Sequence, residues 1–83
     1  MKRGRRMTAA ARKEQIVWVL ENSPDPLFVS EIAERIGLKR SPYLNFLIAA
    51  LVDEGRISWD WGNLWNGAVG RVYFPTLPKR DGA

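Results

Sequence analysis

Six cations stand within the first thirteen residues, Lys2, Arg3, Arg5, Arg6, Arg12 and Lys13, with no acid among them. Residues 14–83 carry seven Lys or Arg against nine Asp or Glu, so a start of +6 precedes a body of −2 and the chain sums to +4. Cations at that density neutralise the phosphates of a polyanion, and each contact releases counterions and adds sequence-independent affinity. A solvated, solubilising start is the other reading of the same residues. Acid–base chemistry has poorer material. Asp53, Glu54 and Asp60 are the close carboxylates of the second half, and nothing in the spacing sets a nucleophile beside them. The chain has no His and no Cys, which removes imidazole bases, thiolates, disulfides and the usual zinc ligands. Gly62, Gly67 and Gly70 lie between two strand-like runs, whereas a phosphate-cradling loop joins a strand to a helix. These residues predict a protein that is not an enzyme and takes no metal, cofactor or small-molecule substrate.

The elements that must position any binding residues are short. The chain's 83 residues, 46% apolar and 11% aromatic, suffice for one small core. No apolar run approaches the roughly 20 residues of a membrane helix. The basic start is followed by Thr8-Ala9-Ala10-Ala11-Arg12-Lys13, a poor secretory signal, so a soluble intracellular protein is expected.

Punctuation divides this domain. Thr8 reads as the N-cap of an amphipathic helix reaching Asn22, with Ala9, Ile16, Val19 and Leu20 on its stripe and Trp18 pointing almost oppositely. Pro24 and Pro26 end it, and Leu27-Phe28-Val29 reads as a very short strand. Ser30 is the expected cap of a helix over residues 31–36, with Glu31 and Arg35 at i, i+4, and Gly37 is its left-handed stop. Ser41 and Pro42 start a third helix as N-cap and N1. Leu44, Leu47, Ile48 and Leu51 form its apolar face, and Pro42, Asn45, Phe46, Ala49 and Asp53 the opposite one. From Arg56 the period becomes two: Ile57, Trp59 and Trp61 alternate with polar residues, and residues 71–74 make a second strand. The nine residues 62–70 between them read as a long hairpin loop. Trp59 and Trp61 are expected beneath the hairpin, in the core.

The run Val29-Ser30-Glu31-Ile32-Ala33-Glu34-Arg35-Ile36-Gly37, followed by a leucine-rich helix closing at Gly55-Arg56-Ile57 and a return at Gly70-Arg71-Val72-Tyr73-Phe74, resembles the winged helix-turn-helix superfamily. The resemblance spans about residues 12–76 and implies an α+β fold of three helices with a small antiparallel β-sheet and a β-hairpin wing. It leaves residues 1–11 as a basic arm and 77–83 as a tail.

The resemblance further implies a protein that binds double-stranded DNA with its third helix in the major groove and the wing on a neighbouring groove or the backbone, as a small transcriptional regulator or accessory factor. Lys39, Arg40 and Ser41 would then meet phosphates, Tyr43 and Asn45 phosphates or base edges, Phe46 a thymine methyl, and Arg71 the minor groove or backbone. Arg3, Arg5 and Arg6 of the arm complete the DNA-facing set. Each has a plainer reading: solvated corner charges, a helix cap, and an Arg71–Asp60 pair across the hairpin. Between Ser41 and Gly55 there is no Lys, Arg or Gln, a departure from the polar face usual in this family. Outward Trp18 and a loop-borne Trp65 point to the alternative, a protein-interaction or homodimerisation module that uses the third helix and the wing tryptophans.

Overall fold

The computed structural model of the protein describes residues 7–64 and 66–76. The elements are α1 (Ala9–Glu21), β1 (Leu27–Phe28), α2 (Val29–Ile36), α3 (Pro42–Asp53), β2 (Ile57–Asn63) and β3 (Val69–Pro75). Three helices pack with one small antiparallel sheet of order β1-β3-β2, an α+β arrangement.

The Thr8 hydroxyl accepts the Ala11 N–H at 3.1 Å and starts α1. At its other end the Asn22 side-chain amide and backbone N–H both donate to the Trp18 carbonyl, at 2.8 and 3.0 Å. Because α1 begins at Ala9, the division between residues 11 and 12 falls inside a helix. The apolar stripe is buried from Ile16 onward, and Val17 joins Val19 and Leu20 there while Ala9 is exposed.

The start of α2 differs from the expectation. Val29, assigned to the strand by its type, is the first helical residue, and Ser30 lies inside the helix instead of capping it. Glu31 is the cause: its carboxylate accepts the Phe28 N–H at 2.8 Å and moves the cap to Phe28. A carboxylate there also sits favourably at the positive end of the helix dipole. With Glu31 so engaged, no Glu31–Arg35 ion pair forms. Gly37 does stop the helix. At φ 70° it lets the Leu38 N–H reach the Ala33 carbonyl at 2.9 Å, which folds Leu38 onto the core.

In α3 the Ser41 hydroxyl accepts the Leu44 N–H at 3.2 Å, with Pro42 following as N1. Leu44, Leu47, Ile48 and Leu51 are buried, and the Arg56 N–H closes the far end on the Leu51 carbonyl at 2.9 Å.

The hairpin is longer and its loop shorter than the glycines suggest. Gly62 pairs with Gly70 and Asn63 with Val69, and beyond them the Leu64 N–H donates to the Ala68 carbonyl at 2.8 Å. Gly62 and Gly70 are strand residues because of what lies over them. A Cβ at Gly62 would stand 2.8 Å from a Val72 methyl, and one at Gly70 would stand 3.3 Å from the Phe28 ring. They therefore make room for Phe28 and Val72 on the sheet face turned away from the helices.

The core joins α1, α2 and α3 to the helix-facing side of the sheet through Ile16, Leu20, Ile32, Leu44, Leu47, Leu51 and Ile57, all sealed from solvent. Two ion pairs fasten α1 to the end of α3 and the start of β2, Lys13 with Glu54 and Arg56 with Glu14, the latter with Nη2 to Oε1 at 2.9 Å. Among the described residues no helix is long and apolar enough to cross a membrane.

Candidate functional site

The residues of interest meet where the exposed face of α3 approaches the β2–β3 hairpin. Strand alternation places Ile57, Trp59 and Trp61 of β2 on the helix-facing side, opposite Pro75, Tyr73 and Arg71 of β3. Toward the core, Ile57 and Tyr73 are buried, and Trp59 is half-buried against them. One pair further out the helices no longer cover the sheet. Trp61, expected in the core, is 60% exposed there and meets Trp59 edge to face, with centroids 4.9 Å apart and planes at 83°. Alternation gives the correct side of the sheet but not how far the core reaches.

Arg71 lies across from Trp61, and its guanidinium carbon stands 4.3 Å from the centroid of the Trp59 ring. The alternative Arg71–Asp60 pair does not form. Asp60 is on the other side of the sheet, opposite Val72, and its carboxylate accepts the Trp61 N–H at 2.8 Å. The stack fixes the cation without neutralising it.

Two depressions share Arg71. One, of about 330 Å³, lies between α3 and the hairpin, with Asn45, Ala49 and Asp53 on the helix side and Trp59 and Arg71 opposite. The other, of about 310 Å³, brings Arg40 of the α2–α3 turn beside Arg71, next to Ser30 at the start of α2. The sequence-derived candidates Arg40, Asn45 and Arg71 thus border one continuous surface. Lys39 is exposed in the same turn, and Lys39, Arg40 and Arg71 form no ion pair among the described residues.

Other candidates are distributed around this surface. The Ser41 hydroxyl is occupied as a cap, while Tyr43 is exposed on the flank of α3. Phe46 is 64% exposed, with Ala49 exposed beside it. Trp18 is exposed on α1, as expected, and borders neither depression. Arg3, Arg5, Arg6 and Trp65 lie outside the described residues. Two of the six N-terminal charges serve the fold: Lys13 pairs with Glu54, and the Arg12 guanidinium donates to the Gln15 side chain at 2.9 Å and the Ile36 carbonyl at 3.3 Å.

Sequence reasoning did not find the Arg71–Trp59 stack. The signal for it was present in the W-x-W run facing Arg71-Val72-Tyr73, and needed only the strand register. Among the described residues no group of three or more acids is placed to hold a metal. Comparison of the chain with protein-family models, curated proteins and solved structures finds no match.

Proposed function

We propose that this domain is a winged helix-turn-helix that binds double-stranded DNA, with α3 as the recognition helix in the major groove and the β2–β3 hairpin as the wing. Its role is that of a small transcriptional regulator or accessory DNA-binding factor. The observation that carries the reading is the arrangement of cations: Arg40 and Arg71 border one depression, Arg71 continues into the groove beside Asn45, and among the described residues neither charge is spent in an ion pair. A helix face flanked by the basic turn at Lys39-Arg40 and by Arg71 of the hairpin matches a groove flanked by two phosphate strands. The basic arm, Arg3, Arg5 and Arg6, adds sequence-independent attraction.

The test is anisotropy titration of a labelled, mixed-sequence duplex over a range of salt. If Arg3, Arg5, Arg6, Lys39, Arg40 and Arg71 each neutralise one phosphate, log K falls with log salt at a slope of about −5. Deleting Met1 to Arg6 then weakens all duplexes together and flattens the slope by about 0.9 per lost contact. An affinity indifferent to salt overturns the reading.

A second reading draws on Trp18, Phe46, Trp61 and Val69, large apolar side chains that are all exposed. In it the apolar face of α3 and the hairpin bind a protein partner or a second copy of the chain. It predicts concentration-dependent sedimentation that Trp61→Ala or Phe46→Ala abolishes, and no salt-dependent duplex binding.

A further inference from the structure

We infer that α3 reads thymine through its 5-methyl group, with Phe46 and Ala49 as the reading surface and Asn45 on an adenine, so that the selected duplex has A·T pairs at the centre of the contact. The inference rests on the DNA-binding reading above and adds the chemistry of what is read.

Only thymine presents a methyl group in the major groove, where apolar side chains recognise it. Guanine offers O6 and N7, which call for Arg or Lys, and adenine offers N6 and N7, which suit Asn or Gln. From Pro42 to Asp53 the helix contains no Lys, Arg, Gln or Glu, so it has no cation for guanine. What it exposes is two aromatic rings, one alanine methyl, a carboxamide and a carboxylate, from Tyr43, Phe46, Ala49, Asn45 and Asp53, with Ala50 half-buried. Ala49 is exposed on the outward face, one turn before Asp53. Asn45 and Phe46, adjacent in sequence and thus about 100° apart around the axis, flank it on either side.

Asn45 is on the side of the hairpin groove and Phe46 is outside it. Asp53, the acidic group on this face, is eight residues beyond Asn45, about 12 Å along the axis. It stands in the groove that Arg71 also borders. Arg40 is turned to the depression by α2 and Arg71, a position suited to backbone phosphate. The cations thus hold the flanks while the centre is apolar, and a 5-methyl group is the base feature that an exposed Phe-Ala surface fits. Burying one such methyl is worth about a fourfold change in affinity.

The experiment is selection from a randomised duplex pool with the full chain. The selected duplex is then titrated with thymine replaced singly by uracil, which keeps every hydrogen-bonding edge and removes only the methyl. The expected result is a selected site with central A·T pairs, about fourfold weaker for each contacted methyl removed. Phe46→Ala should narrow the difference between the thymine and uracil duplexes to what Ala49 alone supplies. Its exposed position lets it fold, and a thermal melt verifies that. A G·C-centred site, equal affinity of the parent for thymine and uracil duplexes, or a difference undiminished by Phe46→Ala overturns the inference while salt-dependent binding keeps the DNA reading intact. Absence of salt-dependent binding to any duplex overturns both.

Discussion

The Arg71 guanidinium lies 4.3 Å above the Trp59 ring, one strand pair closer to solvent than the buried Tyr73. A flexible cation is thereby held at the mouth of the groove by an aromatic that is itself anchored in the core. Arg71→Ala should weaken duplex binding by about 1.5–3 kcal/mol, the scale of a charged hydrogen bond. Stability should fall only by about 0.5–1 kcal/mol, the worth of an exposed cation–π contact. Arg71→Lys keeps the charge but loses the planar stack, and should recover part of the affinity. Unchanged affinity in both variants means that the hairpin does not touch DNA.

Leu51 is sealed in the core while Phe46, on the same helix, is mostly in solvent. Leu51→Ala should cost about 2–5 kcal/mol in a denaturant melt. Phe46→Ala should stay within about 0.5 kcal/mol of the parent, as exposed substitutions do. The reverse ranking would mean that α3 is rotated about its axis.

Gly62 leaves no room for a Cβ unless Val72 shifts, since the added atom would stand 2.8 Å from a Val72 methyl. Gly62→Ala should therefore destabilise by about 1–3 kcal/mol through overpacking. Val72→Ala in the same chain should return part of that loss, because it removes the obstructing methyls. Equal stability of parent and Gly62→Ala would refute the close approach.

Arg56 donates hydrogen bonds to the Glu14 carboxylate and holds it below its ordinary value of 4.5, while the same bond raises Arg56. A lowered folded-state value stabilises the fold above the unfolded value of 4.5, and this contribution disappears as pH falls through the folded value below it. Thermal melts of the parent should lose stability across that acidic window more steeply than melts of Glu14→Gln. Above it the variant should be the less stable of the two, by a small margin because the pair is exposed.

The helix boundaries that residue type determines locally were legible. Thr8, Ser41-Pro42 and Gly37 act within a turn of their own backbone, so their reach is no longer than a reader's window. The cap at Phe28 was not, because a phenylalanine contributes nothing to it and the acting group is Glu31, three residues on. Gly62 and Gly70 read as loop residues in the sequence because glycine in a turn and glycine beneath a neighbouring side chain are the same letter. Val72 across the hairpin, for Gly62, and Phe28 from a distant strand, for Gly70, separate the two cases. The candidate site was legible as a set of residues, Lys39, Arg40, Asn45 and Arg71. The Trp59 stack that orients Arg71 depended on register, and so did the exposure of Trp61.

The central strand of the sheet is the last of the described strands. Leu27 finds its partner at Tyr73 and Phe28 finds Val72, separations of 46 and 44 residues, whereas β2 meets β3 across a short loop. The sheet therefore cannot grow in the order of synthesis: β1 must wait with both edges bare until the hairpin has formed. Contacts of such separation carry loop-closure entropy and slow folding. In pulse-labelled hydrogen exchange during refolding, residues 27–28 should therefore gain protection after the hairpin amides.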